Sequence, residues 1–114
     1  INRSAEITFN FKELVYRHYL EHNSILFYAS ELSVSENYLH RCIKKNIGES
    51  PKEWINKVSI LQSQLLLQDL TKSISEIAFE LNYGDPSYFG RLFKKITGVT
   101  PSEYRITFMQ DLSE

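Results

Sequence analysis

Apolar residues recur along this chain at three- and four-residue intervals, the spacing of helices that bury one face. Phe11, Leu14, Val15 and Tyr19 mark a first helix that ends near the polar "EHNS" at 21–24. The stretch "ILFYASEL" follows as a short helix with Leu26, Ala29 and Leu32 on one side. Over 36–47 the positions Leu39, Cys42, Ile43 and Ile47 share a face, and Gly48 supplies the left-handed stop that helices favour. The 50–70 segment is the longest candidate, a connecting rod whose single stripe is expected at Trp54, Val58, Leu61 and Leu65. After "SISEIAFEL" and the turn "NYG", Phe89, Leu92, Phe93 and Ile96 repeat the stripe over 86–97, and a last short helix begins after Thr100. Alternation of strand type is never sustained, so the pattern predicts an all-α fold of about seven helices.

The pattern is also written twice. "RCIKKNIGESPKEWI" at 41–55 returns as "RLFKKITGVTPSEYR" at 91–105. Under a shift of fifty, Tyr38, Arg41, Lys44, Lys45, Gly48, Pro51 and Glu53 match Tyr88, Arg91, Lys94, Lys95, Gly98, Pro101 and Glu103. Upstream the shift is 49, pairing Ala29, Glu31 and Leu32 with Ala78, Glu80 and Leu81, so the second turn carries one extra residue. Some of this is punctuation: "SPKE", "SISE" and "TPSE" each offer a hydroxyl N-cap and a Glu three residues on, which start a helix and carry no function. The remainder is helix-turn-helix anatomy, a short helix with a small residue at the crossing, a tight turn and a second helix. Ser33 and Asn82 fall where such a turn needs a left-handed backbone, which Asn tolerates better than Ser. The organisation expected is one domain over 1–114, with a first subdomain at 11–48, the connecting helix at 50–70 and a second subdomain at 73–108.

Charge sharpens the picture. The net charge of −1 argues at first against a polyanionic partner. Yet six of the thirteen basic residues are Arg41, Lys44, Lys45, Arg91, Lys94 and Lys95, and no Asp or Glu lies within 37–48 or 86–102. Local field outweighs the sum. The exposed face of each second helix carries Asn37, His40, Arg41 and Lys44, or Ser87, Gly90, Arg91 and Lys94. An arginine fork can bond guanine O6 and N7 together, which makes Arg41 and Arg91 the leading candidates for base contacts. Lys44, Lys45, Lys94 and Lys95, toward the helix ends, suit phosphates. Pro86 and Ser87, at a helix start, suit a thymine methyl or a phosphate, and His40 a base edge or a neighbouring phosphate.

Other chemistries find less support. A single cysteine, Cys42, allows no internal disulfide and no cysteine-based zinc site, and its place on an apolar stripe makes it a small core residue in a reducing compartment. His18 and His22 have the i, i+4 spacing of zinc ligands but lack a third partner, so they are expected to face solvent. Trp54 and the other aromatic residues fall mostly on apolar stripes, which favours core over a stacking platform. No catalytic triad, carboxylate pair or phosphate-cradling loop is present, and neither enzyme activity nor a cofactor or metal is expected. With no membrane-length apolar run and no signal peptide, the chain is expected to be cytoplasmic; it opens on Ile1, which suggests a fragment.

The stretch "SISEIAFELNYGDPSYFGRLFKKITGVTPSEYR" resembles the C-terminal signature of AraC/XylS-type bacterial transcriptional regulators, and the likeness extends from about Phe11 to Arg105. It implies two helix-turn-helix units joined by a rigid helix, their recognition helices (36–47 and 86–97) reading successive major-groove segments of double-stranded DNA. By that likeness Asn37, His40 and Arg41, then Pro86, Ser87, Gly90 and Arg91, take the base-facing positions. It also implies RNA polymerase as a partner and an effector-binding or dimerisation part lying N-terminal to this chain. The chain departs from the family's usual Gly at Asn82, Phe at Tyr83, Arg at Ser59 and Ala at Ser63, and the Ser59 departure removes a partner for Glu76. The competing expectation is a helical protein-interaction module that has lost DNA affinity, motivated by the acidic total and the bare Gly90.

Overall fold

The structure, a computed structural model, describes residues 2–114. Among them are seven helices and no strand: α1 (Arg3–His18), α2 (Ile25–Glu31), α3 (Glu36–Ile47), α4 (Pro51–Leu66), α5 (Ile74–Glu80), α6 (Pro86–Thr97) and α7 (Pro101–Leu112). The chain forms two compact units, one ending at Val58 and the other running Ser59–Glu114, so the boundary falls inside α4.

Local chemistry sets the helix ends. Ser50, Ser73 and Thr100 each accept a backbone N–H from the Glu three residues on, and that Glu carboxylate accepts the cap residue's own N–H, as the sequence pattern predicts. The Glu76 carboxylate accepts the Ser73 N–H at 3.1 Å in this cap. The Glu103 carboxyl is held below its usual range by the Thr100 backbone N–H. Gly48 and Gly98 end α3 and α6 at φ of 85° and 90°. α1 begins at Arg3, well before Phe11, because Asn2 caps it: its side chain accepts the Ala5 N–H at 2.8 Å.

In the first unit Ile7, Phe11 and Val15 of α1 enclose a core with Tyr28 and Ala29 of α2, Leu39, Cys42 and Ile43 of α3, and Ile55 and Val58 of α4. Each large apolar side chain so buried contributes roughly 1.5–3 kcal/mol. The expected stripe on α2 is corrected here. Leu26 is 58% exposed, and Tyr28 takes the interior place, its ring edge-on to Phe11 and its hydroxyl donating to His22 O at 2.7 Å. A buried tyrosine is tolerable only with its hydroxyl satisfied, as here.

In the second unit Ile77, Ala78, Leu81, Tyr83, Phe89 and Phe93 are buried, with Phe93 edge-on to Tyr104 of α7. Arg105 donates to Leu67 O at 3.0 Å and Asp69 O at 3.3 Å, tying α7 to the end of α4. The single stripe expected on α4 is overturned: Leu61 and Leu65 are 45% and 63% exposed. The buried positions are Pro51, Ile55, Asn56 and Val58, then Ser59, Ile60 and Ser63, with Leu67 just past the helix end. A helix serving two units carries two short stripes, and Ser63 is hidden because its hydroxyl donates to Ile60 O.

The two turns are alike. In the first, Val34 N–H bonds Ala29 O at 3.0 Å and Ser33 N–H bonds Ser30 O at 3.1 Å. In the second, Tyr83 N–H bonds Ala78 O at 2.9 Å and Asn82 N–H bonds Phe79 O at 3.0 Å. This pair of bonds requires one left-handed residue, and Ser33 (φ 56°) and Asn82 (φ 65°) supply it as expected.

Candidate nucleic-acid interface

Burial fixes which face of each second helix is free. On α3, Leu39, Cys42 and Ile43 turn inward, leaving Asn37, His40, Arg41, Lys44 and Lys45 exposed. On α6, Phe89 and Phe93 turn inward; Ser87, Arg91, Lys94 and Lys95 are exposed, and Pro86 and Gly90 half-exposed. Asp85 caps α6 by accepting the Ser87 N–H at 2.9 Å. Each sequence-predicted set therefore lies together on one solvent-facing strip of its own unit. At Gly90 a Cβ would meet nothing within 4 Å, so no packing demands the glycine.

The cations on these faces differ from most of the others. Lys57 pairs with Glu49 at 3.2 Å and Lys72 with Glu80 at 2.8 Å. Lys52 donates to Asn23 O, Arg105 to two carbonyls, and Lys12 lies over the Trp54 ring at 4.9 Å. By contrast, among the described residues no side-chain hydrogen bond or ion pair engages Arg41, Lys44, Lys45, Arg91, Lys94 or Lys95. The lysines sit in the last turns of α3 and α6, where the helix dipole favours cations.

Sequence reasoning missed a feature beside α3. Ser4, Tyr38, Arg41, Cys42 and Lys45 line an open cavity of about 340 Å³. Asn46 ties α1 to α3 there, donating to Ser4 Oγ and to Cys42 O, each at 2.8 Å. The Arg41 guanidinium lies 5.5 Å from the Tyr38 ring centroid. The repeated tyrosine three residues before each arginine was the available signal.

The histidine pair is also corrected. His22 stacks on Phe27 at 3.6 Å and 6°, and His18 meets the same ring edge-on at 5.2 Å, so both are half-buried rather than solvent-facing. Among the described residues no group of three or more His, Cys, Asp or Glu is placed to hold a metal, and no helix is long and apolar enough to cross a membrane.

Two similar turns, each joining a short helix to a second helix with an exposed cationic face, define a tandem helix-turn-helix domain, and a family model described as a helix-turn-helix domain matches residues 28–106. The chain is similar to YisR, an uncharacterised HTH-type transcriptional regulator of Bacillus subtilis, at 33% identity over 77% of this chain and 31% of that protein. The C-terminal domain of AraT, a response regulator from Geobacillus stearothermophilus, matches with a TM-score of 0.80 at 30% identity, over 93% of this chain and 88% of that one. The DNA-binding domain of AdpA, solved with a target DNA, shares the fold at a TM-score of 0.76 and 22% identity, over 97% and 96% of the two chains. The chain belongs to the AraC family of helix-turn-helix transcription regulators and corresponds to their DNA-binding domain. It spans about a third of the length of the curated relatives it matches.

Proposed function

We propose that this chain binds double-stranded DNA sequence-specifically in the service of transcription regulation, with α3 and α6 reading successive major-groove segments. One observation carries the reading: none of the six cations of the two recognition faces is held by a side-chain hydrogen bond or an ion pair among the described residues, whereas Lys52, Lys57, Lys72 and Arg105 are. Leaving six cations unneutralised on two matched faces favours a polyanion that supplies the missing charge. In this reading Arg41 and Arg91 contact base edges, with Asn37, His40, Pro86, Ser87 and Gly90 beside them. Lys44, Lys45, Lys94 and Lys95 hold phosphates, which position the helices without reading sequence. Cytoplasmic residence, contacts to RNA polymerase and a further effector-binding or dimerisation part N-terminal to this chain belong to the same proposal, by likeness to the family.

The test is selection from a randomised duplex pool by mobility shift, followed by sequencing and a salt titration of the winner. A defined pair of enriched half-sites is expected. Log K should fall against log salt with a slope between about −4, for the four lysines alone, and about −5 if both arginines also displace counterions. No enriched sequence and a flat salt response would overturn the proposal in favour of a protein-interaction module.

A further inference from the structure

Tyr38 and Tyr88 hold matching places in the two repeats, three residues before Arg41 and Arg91, but the fold uses them differently. Tyr38 is half-buried and packs against the core of its unit. Its phenol pKa is raised above the ordinary value, with the Cys42 side chain one turn on as the main cause. With the ring held by that core packing, the Arg41 guanidinium lies 5.5 Å from its centroid. Tyr88 is 42% exposed and tilts toward Tyr83 at 6.0 Å; among the described residues no cation lies over it. Arg91 has no such support.

We propose that Tyr38 is a positioning residue for Arg41, its anchored ring holding the guanidinium on the reading face of α3 before DNA arrives and so sharpening base discrimination at the position Arg41 reads. The proposal rests on the assignment of Arg41 to base readout. The chemistry suits both contacts at once. A guanidinium is attracted to the aromatic ring, while its N–H donors, which lie in its own plane, stay available for the two acceptors of a guanine. An arginine free in solvent must lose its rotamer freedom when it meets the base; one already held by a ring has lost part of it beforehand, and that difference appears as affinity for the correct base.

The experiment uses the 114-residue chain, the duplex enriched from the randomised pool, and the single-base-pair variants of that duplex. Arg41→Ala first identifies the base pair at which preference relaxes. Tyr38→Leu, with far-UV circular dichroism to establish folding, is expected to relax preference at that same base pair by about two- to fivefold, the range a surface cation–π contact supplies. Tyr38→Phe keeps the ring and should keep the preference, and Tyr38→Leu should add no further relaxation in an Arg41→Ala background. Tyr88→Leu should leave the base read by Arg91 as well discriminated as before. If Tyr38→Leu does not fold, Tyr38→Met fills more of the same space without an aromatic face and takes its place. A uniform loss of affinity across all duplexes, or unchanged preference at the Arg41 position, would mean the ring is only structural and overturns the proposal. An Arg41→Ala variant that relaxes no position removes Arg41 from base readout, and the proposal falls for that separate reason.

Discussion

Gly90 sits mid-way along α6 with nothing within 4 Å of where a Cβ would be, and its φ is not in the left-handed range. A glycine inside a helix costs about 0.8–1.0 kcal/mol relative to alanine. With no packing penalty to offset that, Gly90→Ala should stabilise the chain by nearly the full amount. For a chain of this length the gain corresponds to a rise in Tm of about 3–5 °C, read by circular dichroism melts of the two proteins side by side. An unchanged or lowered Tm would refute the reasoning, because it would require a contact or strain that the open space around Gly90 does not contain. The same position tests the interface. Gly90 lies between Ser87 and Arg91 on the free face, so a side chain there meets DNA if α6 lies against base edges. Gly90→Leu keeps good helix propensity but adds bulk, and a clash of roughly 1–3 kcal/mol would cost about 5- to 150-fold in affinity for the selected duplex. A Gly90→Leu protein that is stabilised yet binds the selected duplex unchanged would show that this face of α6 does not touch DNA.

Three other outcomes follow from the structure. Arg91→Ala should relax preference at one base pair, with a discrimination loss of about 1–3 kcal/mol, whereas Lys94→Ala should weaken all duplexes alike and reduce the salt slope by about 1; mobility shifts over a range of salt distinguish them, and the reverse pattern would exchange the two roles. Ser33→Gly should stabilise the first turn by about 0.5–1 kcal/mol, since Ser33 holds a φ of 56° that glycine adopts without penalty, and urea melts should place it above Asn82→Gly in gain because asparagine already tolerates that backbone. Burial, aided by the Glu21 charge, pushes the Tyr28 phenol up to about 12 from 10.0. Its contribution is therefore complete below the ordinary tyrosine value and lost as pH rises from 10.0 toward about 12; Tyr28→Phe should make stability fall less steeply across that window, and an unaltered slope would contradict the assignment.

The features legible in the sequence were those written within a few residues of one another. Capping boxes at Ser50, Ser73 and Thr100, the left-handed stops at Gly48 and Gly98, and the turn positions Ser33 and Asn82 are local geometry, so type and spacing suffice. The free faces of α3 and α6 were legible for a related reason: burying Leu39 and Ile43, or Phe89 and Phe93, dictates which residues remain outside. What failed depended on tertiary partners. The α4 stripe was misplaced because a hydrophobicity pattern presumes one buried side, and Ser59 and Ser63, polar by type, are buried. Leu26 was exchanged for Tyr28 because no periodicity reveals that a carbonyl at His22 waits for a phenol. Likewise the His18 and His22 rings find Phe27, a contact set by how the loop closes rather than by i, i+4 spacing. The groove at Tyr38 needed Ser4, whose helix the apolar spacing begins too late to include.

Trp54 is the chain's sole tryptophan, and it lies within the first unit, half-buried with Lys12 and Lys57 ammonium groups 4.9 and 5.8 Å from its ring. Selective excitation of indole therefore gives a native optical reporter confined to one half of the molecule, while helical ellipticity sums both. Melting curves from the two signals that superimpose would make the pair one cooperative block; curves that separate would show each half keeping its own stability.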